Sequence, residues 1–180
     1  MEKVTLFDKT FVPLIPHREI LTAIDAVSRE VNSFYQDSED IPVVLCILNG
    51  ALLFASELLQ RLNFNLEVMC VKLASYQGTS STGAVKEITG ITGSVKGRRV
   101  LVVEDIVDTG NTVEYIRKSL KEKGATEVKI CTMLLKPEVY ERDVPMDFVA
   151  MEIPNRFIVG FGLDYNEIGR NLKDIYVLDR

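Results

Sequence analysis

The sequence of 180 residues has little of what membrane, secreted or nucleic-acid-binding proteins require. Its longest uninterrupted apolar run, residues 43–48, is far too short to cross a bilayer, so we expect no membrane partner. No basic segment leads into an apolar stretch near the first residue, and we expect no secretion signal. The net charge is -5 and no long block of Lys or Arg occurs, which disfavours a nucleic-acid partner.

Cysteine and histidine are also scarce. Cys46, Cys70 and Cys131 each lie inside an apolar segment of strand length and show no paired spacing, so neither a disulfide framework nor a zinc site is predicted. A reducing compartment fits this pattern, and we expect a cytoplasmic protein. His17, the only histidine, lies far in sequence from the motifs described below, and we assign it no catalytic role.

Apolar patterns along the chain alternate between strands and helices. Residues 17–35 have apolar side chains at three- and four-residue spacing, as in an amphipathic helix. Strand-length apolar runs follow at 43–48, 66–74, 100–103 and 128–136, and helical patterns follow the first run up to residue 62 and the third up to about 123. This alternation predicts an α/β fold with a mostly parallel twisted sheet flanked by helices, because parallel strands need crossover connections.

The length and the composition, 47% hydrophobic, predict a single domain over residues 1–180 with a substantial core. We place the core at about residues 17–146. From about 147 to 180 the chain has short apolar runs with no long helix between them, and we expect this tail, with the N-terminal segment, to pack beside the sheet. Residues 75–87, SYQGTSSTGAVKE, break every periodicity and are predicted to be a loop or a mobile flap.

The segment VLVVEDIVDTGNT combines an apolar strand, three carboxylates and a small polar turn. The turn, residues 109–112, can offer successive backbone N–H groups at the start of a helix, which is enough to hold a phosphate. Glu104 and Asp105, directly after the predicted strand, can accept hydrogen bonds from a ribose diol or bind Mg²⁺. Asp108 follows one turn further on, where it can accept a proton.

Other unusual residues also follow predicted strands. Asn49-Gly50, the 75–87 loop and Lys136 each come at the end of an apolar run. In an open parallel sheet, ligands bind beyond the carboxyl ends of the strands. We therefore expect these segments to converge with the acidic turn on one site.

The acidic segment resembles the phosphoribosyl-pyrophosphate signature of the type I phosphoribosyltransferases, and within them of the hypoxanthine-guanine phosphoribosyltransferases. Four further segments resemble that family's motifs in the same order: LNGALLF its pyrophosphate loop, SYQGTSSTGAVK its flap, LLK its purine-sensing lysine, and EIPNRFIVGFGLDYNEIGR its purine hood and terminal arginine. The resemblance covers most of the chain. It implies the type I phosphoribosyltransferase fold, with a small C-terminal hood and a flexible flap loop.

The resemblance also implies a reaction. A 5-phosphoribosyl group passes from phosphoribosyl pyrophosphate to N9 of hypoxanthine or guanine, in purine salvage, with Mg²⁺ as cofactor and pyrophosphate as leaving group. An oxocarbenium-like transition state would draw stabilisation from nearby negative charge, which accounts for acids beside a phosphate site. The family further implies a homodimer or a homotetramer.

Each matched residue takes its implied role from the family. Asp108 accepts the N7 proton of the purine, Glu104 and Asp105 hold the ribose and the metal, and Thr109, Gly110, Asn111 and Thr112 bind the 5′-phosphate. Lys136 donates to the purine O6, Phe157 stacks on the base, Ile158 reads it with its backbone, and Asp164 serves the purine edge and a second, water-mediated metal. The implied pyrophosphate-binding residues are Asn49, Gly50, Ser75, Tyr76 and Arg170.

Asn49 departs from the family's pattern. Many members have Lys there, in a turn whose non-proline cis peptide aims backbone N–H groups at pyrophosphate. Asn49 can preserve the backbone contact, but it lacks the charge of the lysine side chain.

Two other functions stay open. A phosphoribosyl-pyrophosphate-sensing regulator of the same fold would normally need a basic face or an added DNA-binding element, and the sequence shows neither. A xanthine-preferring transferase is the second, because no side chain identified here excludes the extra oxo group of xanthine. An aspartic protease would need paired D-T-G loops in an all-β setting, whereas the single copy here opens a predicted helix.

Overall fold

The structure is a computed structural model that describes residues 2–37, 40–75, 85–91 and 93–179. Its strands and helices, in chain order, are β1 (Val4–Leu6), β2 (Lys9–Ile15), α1 (His17–Tyr35), β3 (Val43–Leu48), α2 (Leu52–Leu59), β4 (Glu67–Ser75), β5 (Val85–Thr89), β6 (Arg99–Val107), α3 (Asn111–Glu122), β7 (Glu127–Leu135), β8 (Phe148–Glu152), β9 (Ile158–Val159) and β10 (Ile175–Leu178).

Within the described ranges, six strands form the main sheet, in the order β5-β4-β3-β6-β7-β8. Strands β4, β3, β6, β7 and β8 run parallel, and β5 pairs antiparallel with β4. Helices α1 and α2 pack in the hydrophobic cluster on one face of the sheet, and α3 packs in the cluster on the other. The predicted class, a mostly parallel α/β sheet flanked by helices, is confirmed.

The continuous apolar runs of the central strands follow from burial on both faces of the sheet. In β3, Val44 and Cys46 belong to the cluster with α1 and α2, while Val43 and Leu45 belong to the cluster with α3. Successive side chains of a strand point to opposite faces, so a strand covered on both faces needs apolar residues at every position. This is why β3 reads as VVLCIL rather than as an alternating pattern.

Helix α1 spans His17–Tyr35, the range predicted from its apolar spacing, whereas α2 ends at Leu59, before the predicted residue 62. His17 contacts residues of the C-terminal part of the chain. Its backbone N–H donates to Asp174 at 2.7 Å, and its ring packs on Phe161 with the centroids 5.6 Å apart. Among the described residues, no helix is both long and apolar enough to cross a membrane.

In the part of the chain that the structure describes, a second sheet of four antiparallel strands, in the order β1-β2-β10-β9, joins the two ends. We call this sheet and the residues 153–174 around it the hood. The predicted hood began at about residue 147, whereas β8 (Phe148–Glu152) is the edge strand of the main sheet and pairs with β7. The reason is burial: Phe148 packs in the same cluster as α1.

The predicted 75–87 loop also has more regular structure than expected at both ends. Ser75 is the last residue of β4, and β5 begins at Val85 and pairs antiparallel with β4, so the two strands form the stem of the predicted flap. Tyr76 and the other residues up to 84 lie outside the described part of the chain.

We expect the packing of α2 to be a large part of this protein's stability. Phe54 is fully buried under the sheet, and Phe54→Ala should lower the free energy of unfolding by about 3–5 kcal/mol, since it leaves a cavity in a packed core. Leu52, on the same helix, is 58% exposed, and Leu52→Ala should change stability by less than about 0.5 kcal/mol. Urea unfolding of the two variants measures the difference, and equal losses would contradict the assignment of Phe54 to the core.

Candidate active site

The site is built where two central strands part. Strand β3 pairs with β6 only as far as Cys46 opposite Val103, and β3 then leads into a cis peptide bond between Leu48 and Asn49. Strand β6 was predicted to end at Val103 but continues to Val107, because Ile106 and Val107 pair with Leu134 and Leu135 of β7. Beyond residue 103, one edge of β6 therefore faces a cleft instead of a strand.

Glu104 and Asp105 lie on this stretch of β6, so both acids are inside the strand rather than after it. The Glu104 carboxylate is buried, and its Oε2 atom has no hydrogen-bond partner among the described residues. Burial, and then the neighbouring Asp105 carboxylate, raise the pKa of Glu104 well above its usual range. Burial also raises the pKa of Asp105, whose Oδ1 accepts the Ile106 N–H at 2.9 Å. Two adjacent carboxylates at a cleft, one with an unpartnered oxygen, are suited to a cation.

The turn after β3 packs tightly against these acids. A Cβ atom added to Gly50 would lie 1.8 Å from Oδ2 of Asp105. On its other side, a Cβ atom on Gly162 of the hood would lie 2.1 Å from the carbonyl oxygen of Gly50. Glycine at these two positions therefore brings two segments of backbone, the turn after β3 and the hood, into contact with each other and with the Asp105 carboxylate.

Arg170 lies on the hood side of the same cleft. Its Nη2 atom is 2.8 Å from Oδ1 of Asp164 and 3.2 Å from Oε2 of Glu167, and its Nη1 atom donates to the Gly162 carbonyl at 3.0 Å. The guanidinium charge also acts against the burial effect on Asp105, because it favours the ionised carboxylate. Arg170 is thus held in place by acids of its own segment, with its charge directed toward the cleft.

Asp108 and Lys136 form an ion pair at the ends of two neighbouring strands. Val107 is in register with Leu135, so the residues that follow them come side by side, and Lys136 Nζ lies 2.7 Å from Oδ1 of Asp108. The Lys136 side chain is 8% exposed and that of Asp108 is 51% exposed. A buried cation therefore supports a carboxylate that reaches toward solvent.

The small polar turn leads directly into helix α3. Gly110 has a φ of 84°, a left-handed conformation that suits glycine, and the helix begins at Asn111. The first N–H groups of a helix have no carbonyl acceptor within the helix, so this turn presents unpaired donors. Arg142 donates from Nη2 to Oδ1 of Asn111, and its Nη1 atom lies 3.4 Å from Oε2 of Glu114. The Arg142 side chain therefore brings a positive charge to the turn.

The structure brings seven of the predicted site residues together in one cleft. A cleft of about 290 Å³ is lined by Asn49, Gly50, Glu104, Asp105, Thr112, Asp164 and Arg170, together with Ile47, Leu48, Lys72, Leu73 and Glu167. Asp108 and Lys136 are not among the residues that line this cleft, and they form an ion pair with each other. Phe157 and Ile158 lie on the hood, where Phe157 is 47% exposed and Ile158 is buried in β9, opposite Val177.

Lys72, Glu167 and Arg142 were not predicted as site residues. Lys72 is an ordinary strand residue in the sequence, and only its parallel register with Leu48 shows that it reaches the cleft. Glu167 follows a predicted site residue by three positions, so its ion pair with Arg170 had a weak sequence signal. Arg142 lies in a loop with no periodic pattern, and nothing local indicated its contact with Asn111.

The acids fit a magnesium ion that is held partly by its substrate. Within the described ranges, no group of three or more His, Cys, Asp or Glu side chains could hold a metal ion by itself. Mg²⁺ is commonly bound through one or two carboxylates, with waters and substrate phosphates as the remaining ligands. Glu104 and Asp105 supply that number of carboxylates, and the unpartnered oxygen of Glu104 is free for such a contact.

Comparisons with known proteins agree along nearly the whole chain. The family model of the phosphoribosyl transferase domain matches residues 14–166. The hypoxanthine-guanine phosphoribosyltransferase of Streptococcus thermophilus is 37% identical over 166 residues, which cover 92% of this chain and 91% of that protein. The protein of the same name from Bacillus subtilis is 39% identical over the same shares of both chains.

Solved structures give the same result for the backbone. A crystal structure of a hypoxanthine phosphoribosyltransferase from Staphylococcus aureus has a TM-score of 0.86 at 32% identity and covers 93% of this chain and 91% of that chain. A hypoxanthine-guanine phosphoribosyltransferase from Bacillus anthracis, with a HEPES molecule in its active site, has a TM-score of 0.86 at 29% identity and covers 93% and 98%.

Proposed function

Because this chain belongs to the phosphoribosyltransferase family, among the hypoxanthine-guanine phosphoribosyltransferases, we propose that it transfers the 5-phosphoribosyl group of phosphoribosyl pyrophosphate to hypoxanthine or guanine. The bond from ribose C1 to pyrophosphate breaks, the bond from C1 to N9 of the purine forms, and the base loses a proton from N7. The products are inosine or guanosine monophosphate and pyrophosphate. The observation that carries the proposal is the ion pair of Asp108 with Lys136 beside the acidic cleft.

This ion pair is complementary to one edge of a 6-oxopurine. N7 and O6 lie next to each other on that edge, and in the free base N7–H is a donor while O6 is an acceptor. Asp108 accepts the N7 proton and Lys136 donates to O6, from atoms that lie only 2.7 Å apart. Adenine has an amino group in place of O6, and an ammonium group cannot accept a hydrogen bond from it. The pair therefore favours hypoxanthine and guanine over adenine.

We assign the sugar, the 5′-phosphate and the pyrophosphate of the substrate to the cleft and to the turn that precedes α3. Glu104 and Asp105 face the ribose diol, and their negative charge favours the oxocarbenium-like centre that forms at C1. The backbone N–H groups of residues 109–112 bind the 5′-phosphate at the start of α3. Arg170 and the backbone around Asn49 and Gly50 bind pyrophosphate, with Arg170 exchanging a contact to its own acids for one to the leaving group.

We propose Mg²⁺ as the cofactor, held by Glu104 and Asp105, with Asp164 contacting a second ion through water. When bound with the substrate, the ion supplies positive charge that compensates the carboxylates and the pyrophosphate oxygens. Glu104 and Asp105 would fix the position of this ion, because both lie within strand β6. Removal of the metal is therefore expected to abolish turnover.

We further propose a single-domain protein that works in the cytoplasm as a homodimer or homotetramer. Large apolar side chains that lie exposed, such as Val68 on β4, are candidates for a contact between copies. Light scattering at micromolar concentration tests the oligomer, and a monomer there would contradict it.

Product formation tests the proposed function directly. Phosphoribosyl pyrophosphate and Mg²⁺ are supplied with hypoxanthine, guanine, xanthine or adenine in separate reactions, each with a control in excess EDTA. We expect metal-dependent inosine and guanosine monophosphate and little product from adenine. A higher rate with xanthine would make this a xanthine-preferring transferase. Binding of phosphoribosyl pyrophosphate without consumption of any base would favour a regulator that senses this metabolite.

Lys72 is expected to supply part of the charge that Asn49 lacks. It lines the cleft, and it stands opposite Leu48, next to Asn49, in the parallel register. Lys72→Ala should raise KM for phosphoribosyl pyrophosphate about fivefold and weaken inhibition by pyrophosphate to a similar extent, as expected for one charge-assisted contact. The control Lys121→Ala removes an exposed lysine from the last turn of α3. Equal KM values in both variants would exclude Lys72 from the pyrophosphate site.

A further inference from the structure

The N-terminal hairpin ends in a turn that is unfavourable for the hairpin alone. Strands β1 and β2 are joined by the two residues Phe7 and Asp8, with Leu6 in register with Lys9. Phe7 has a φ of 52°, a conformation that bulky residues adopt rarely, and its side chain is 63% exposed. Such turns favour Asn or Gly, so an exposed Phe at this position indicates a contact elsewhere in the molecule.

The contact is with one side chain of the hood, Tyr165. The Phe7 ring meets the Tyr165 ring edge-on, with the centroids 6.1 Å apart. The Tyr165 hydroxyl donates to Oδ1 of Asp8 at 2.8 Å, and this hydrogen bond lowers the pKa of the Asp8 carboxyl. Lys9 Nζ lies 5.7 Å from the centroid of the same ring. Three successive residues of the hairpin therefore hold one tyrosine.

The hairpin also touches the far end of the same hood segment. A Cβ atom on Gly169 would lie 2.7 Å from Cδ1 of Leu6, so the Leu6 side chain packs directly on the Gly169 backbone. Gly169 has a φ of 94° and immediately precedes Arg170. The hairpin thus contacts Tyr165, before residues 166–168, and Gly169, after them.

The segment between these contacts is a tight turn. Tyr165 and Ile168 pair as an isolated antiparallel bridge, with N–H to carbonyl distances of 2.9 and 3.2 Å. The two residues between them, Asn166 and Glu167, have φ values of 50° and 68°. Non-glycine residues in this region cost free energy and persist where the surroundings impose them. The hairpin provides such surroundings.

We propose that the N-terminal hairpin positions residues 165–169 and thereby sets the placement of Asp164 and Arg170, which flank them in the active-site cleft. Phe157 belongs to the same arrangement, because its ring packs edge-on against Tyr165 with the centroids 5.9 Å apart. Phe7 and Asp8 are positioning residues that act through Tyr165 on the purine side of the site. This inference rests on the proposed transfer of a phosphoribosyl group to a purine.

Phe7→Gly is the variant that isolates this role. Glycine adopts the φ of residue 7 without strain, so the hairpin turn is kept while the ring that contacts Tyr165 is removed. We expect KM for hypoxanthine to rise about fivefold with kcat within about twofold of wild type, as for the loss of one aromatic contact. Phe7→Tyr, which keeps the ring, should retain the wild-type KM.

Lys3→Ala is the matched control on the same segment. It removes the exposed ion pair between Lys3 and Asp179, 2.7 Å apart, and leaves the side chains of Leu6, Phe7, Asp8 and Lys9 unchanged. KM for hypoxanthine should be unchanged in this control. An unchanged KM in Phe7→Gly, with only a lower melting temperature, would overturn the inference, because the hairpin would then stabilise the fold without positioning the site.

Hydrogen exchange without substrate separates this inference from the proposed function. The amides of Tyr165 and Ile168 should exchange faster in Phe7→Gly than in wild type or in Lys3→Ala, since their bridge loses its support. Unchanged exchange would overturn the contact between hairpin and turn whatever the reaction is. A third outcome is that the wild-type protein transfers no phosphoribosyl group, while the two amides still exchange faster in Phe7→Gly than in wild type. That result would overturn the proposed function and the positioning role, but it would keep the contact between hairpin and turn.

Discussion

Asp108→Asn should lower kcat about 100-fold or more while KM for hypoxanthine and for phosphoribosyl pyrophosphate stays within a few-fold of wild type. The amide oxygen of asparagine can still accept a hydrogen bond from Lys136, so the local geometry, with the side chain in place opposite that lysine, is kept. What is lost is a base that can take up the N7 proton, because an amide is not protonated by the purine. Steady-state kinetics with hypoxanthine as the varied substrate measure both parameters.

The matched control is Asp143→Asn, which removes a carboxylate from an exposed position in the loop after β7. Its kcat should equal that of wild type. Wild-type turnover in Asp108→Asn would remove this residue as the base. A fall of kcat in both variants would show that net charge, rather than the position of Asp108, controls the rate.

Gly50→Ala should reduce kcat/KM by about 100-fold or more, although it adds a single methyl group, because misplacement of reacting groups by about 1 Å can have an effect of that size. The added Cβ would lie 1.8 Å from Oδ2 of Asp105, so either the carboxylate or the turn after β3 must move. Either shift separates the proposed metal ligand from the proposed pyrophosphate site. Kinetics at saturating Mg²⁺, together with a melting curve, measure the loss.

Gly93→Ala provides the comparison, because its added Cβ would meet the Cε atom of Met69 at 2.3 Å. That atom is the far end of a flexible side chain, which can turn away at little cost. We expect wild-type kinetics in this variant. If Gly50→Ala retained wild-type kcat/KM, the contact between Gly50 and Asp105 would have no part in the reaction.

The elements that were predicted best are those whose burial leaves a periodic pattern. Helix α1 and strand β3 have the bounds expected from the sequence, because their apolar spacing reports directly which side chains face the two hydrophobic clusters. The end of β6 was predicted less well. Acidic residues within a strand break its apolar run, and only pairing with β7 shows that the strand continues through Glu104 and Asp105.

Boundaries that depend on distant partners could not be predicted. Residues 148–152 have the length and composition of a hood strand, and it is the pairing with β7 and the packing of Phe148 that place them in the main sheet. Strand β5 lies in a segment rich in Gly, Ser and Thr, and it is ordered as a strand through its hydrogen bonds to β4. Strand pairing joins residues far apart in the chain, so local propensity does not report it.

The sequence by itself determined the fold class, the order of the motifs and the residue types of the site, because each of these is written in local spacing and chemistry. Only the tertiary structure decided which side chains meet. Strand register placed Asp108 beside Lys136 and Lys72 beside the turn at Asn49, and the hood returned Asp164 and Arg170 to the acids of β6. The physical reason is that such contacts depend on register and close packing between segments distant in the chain.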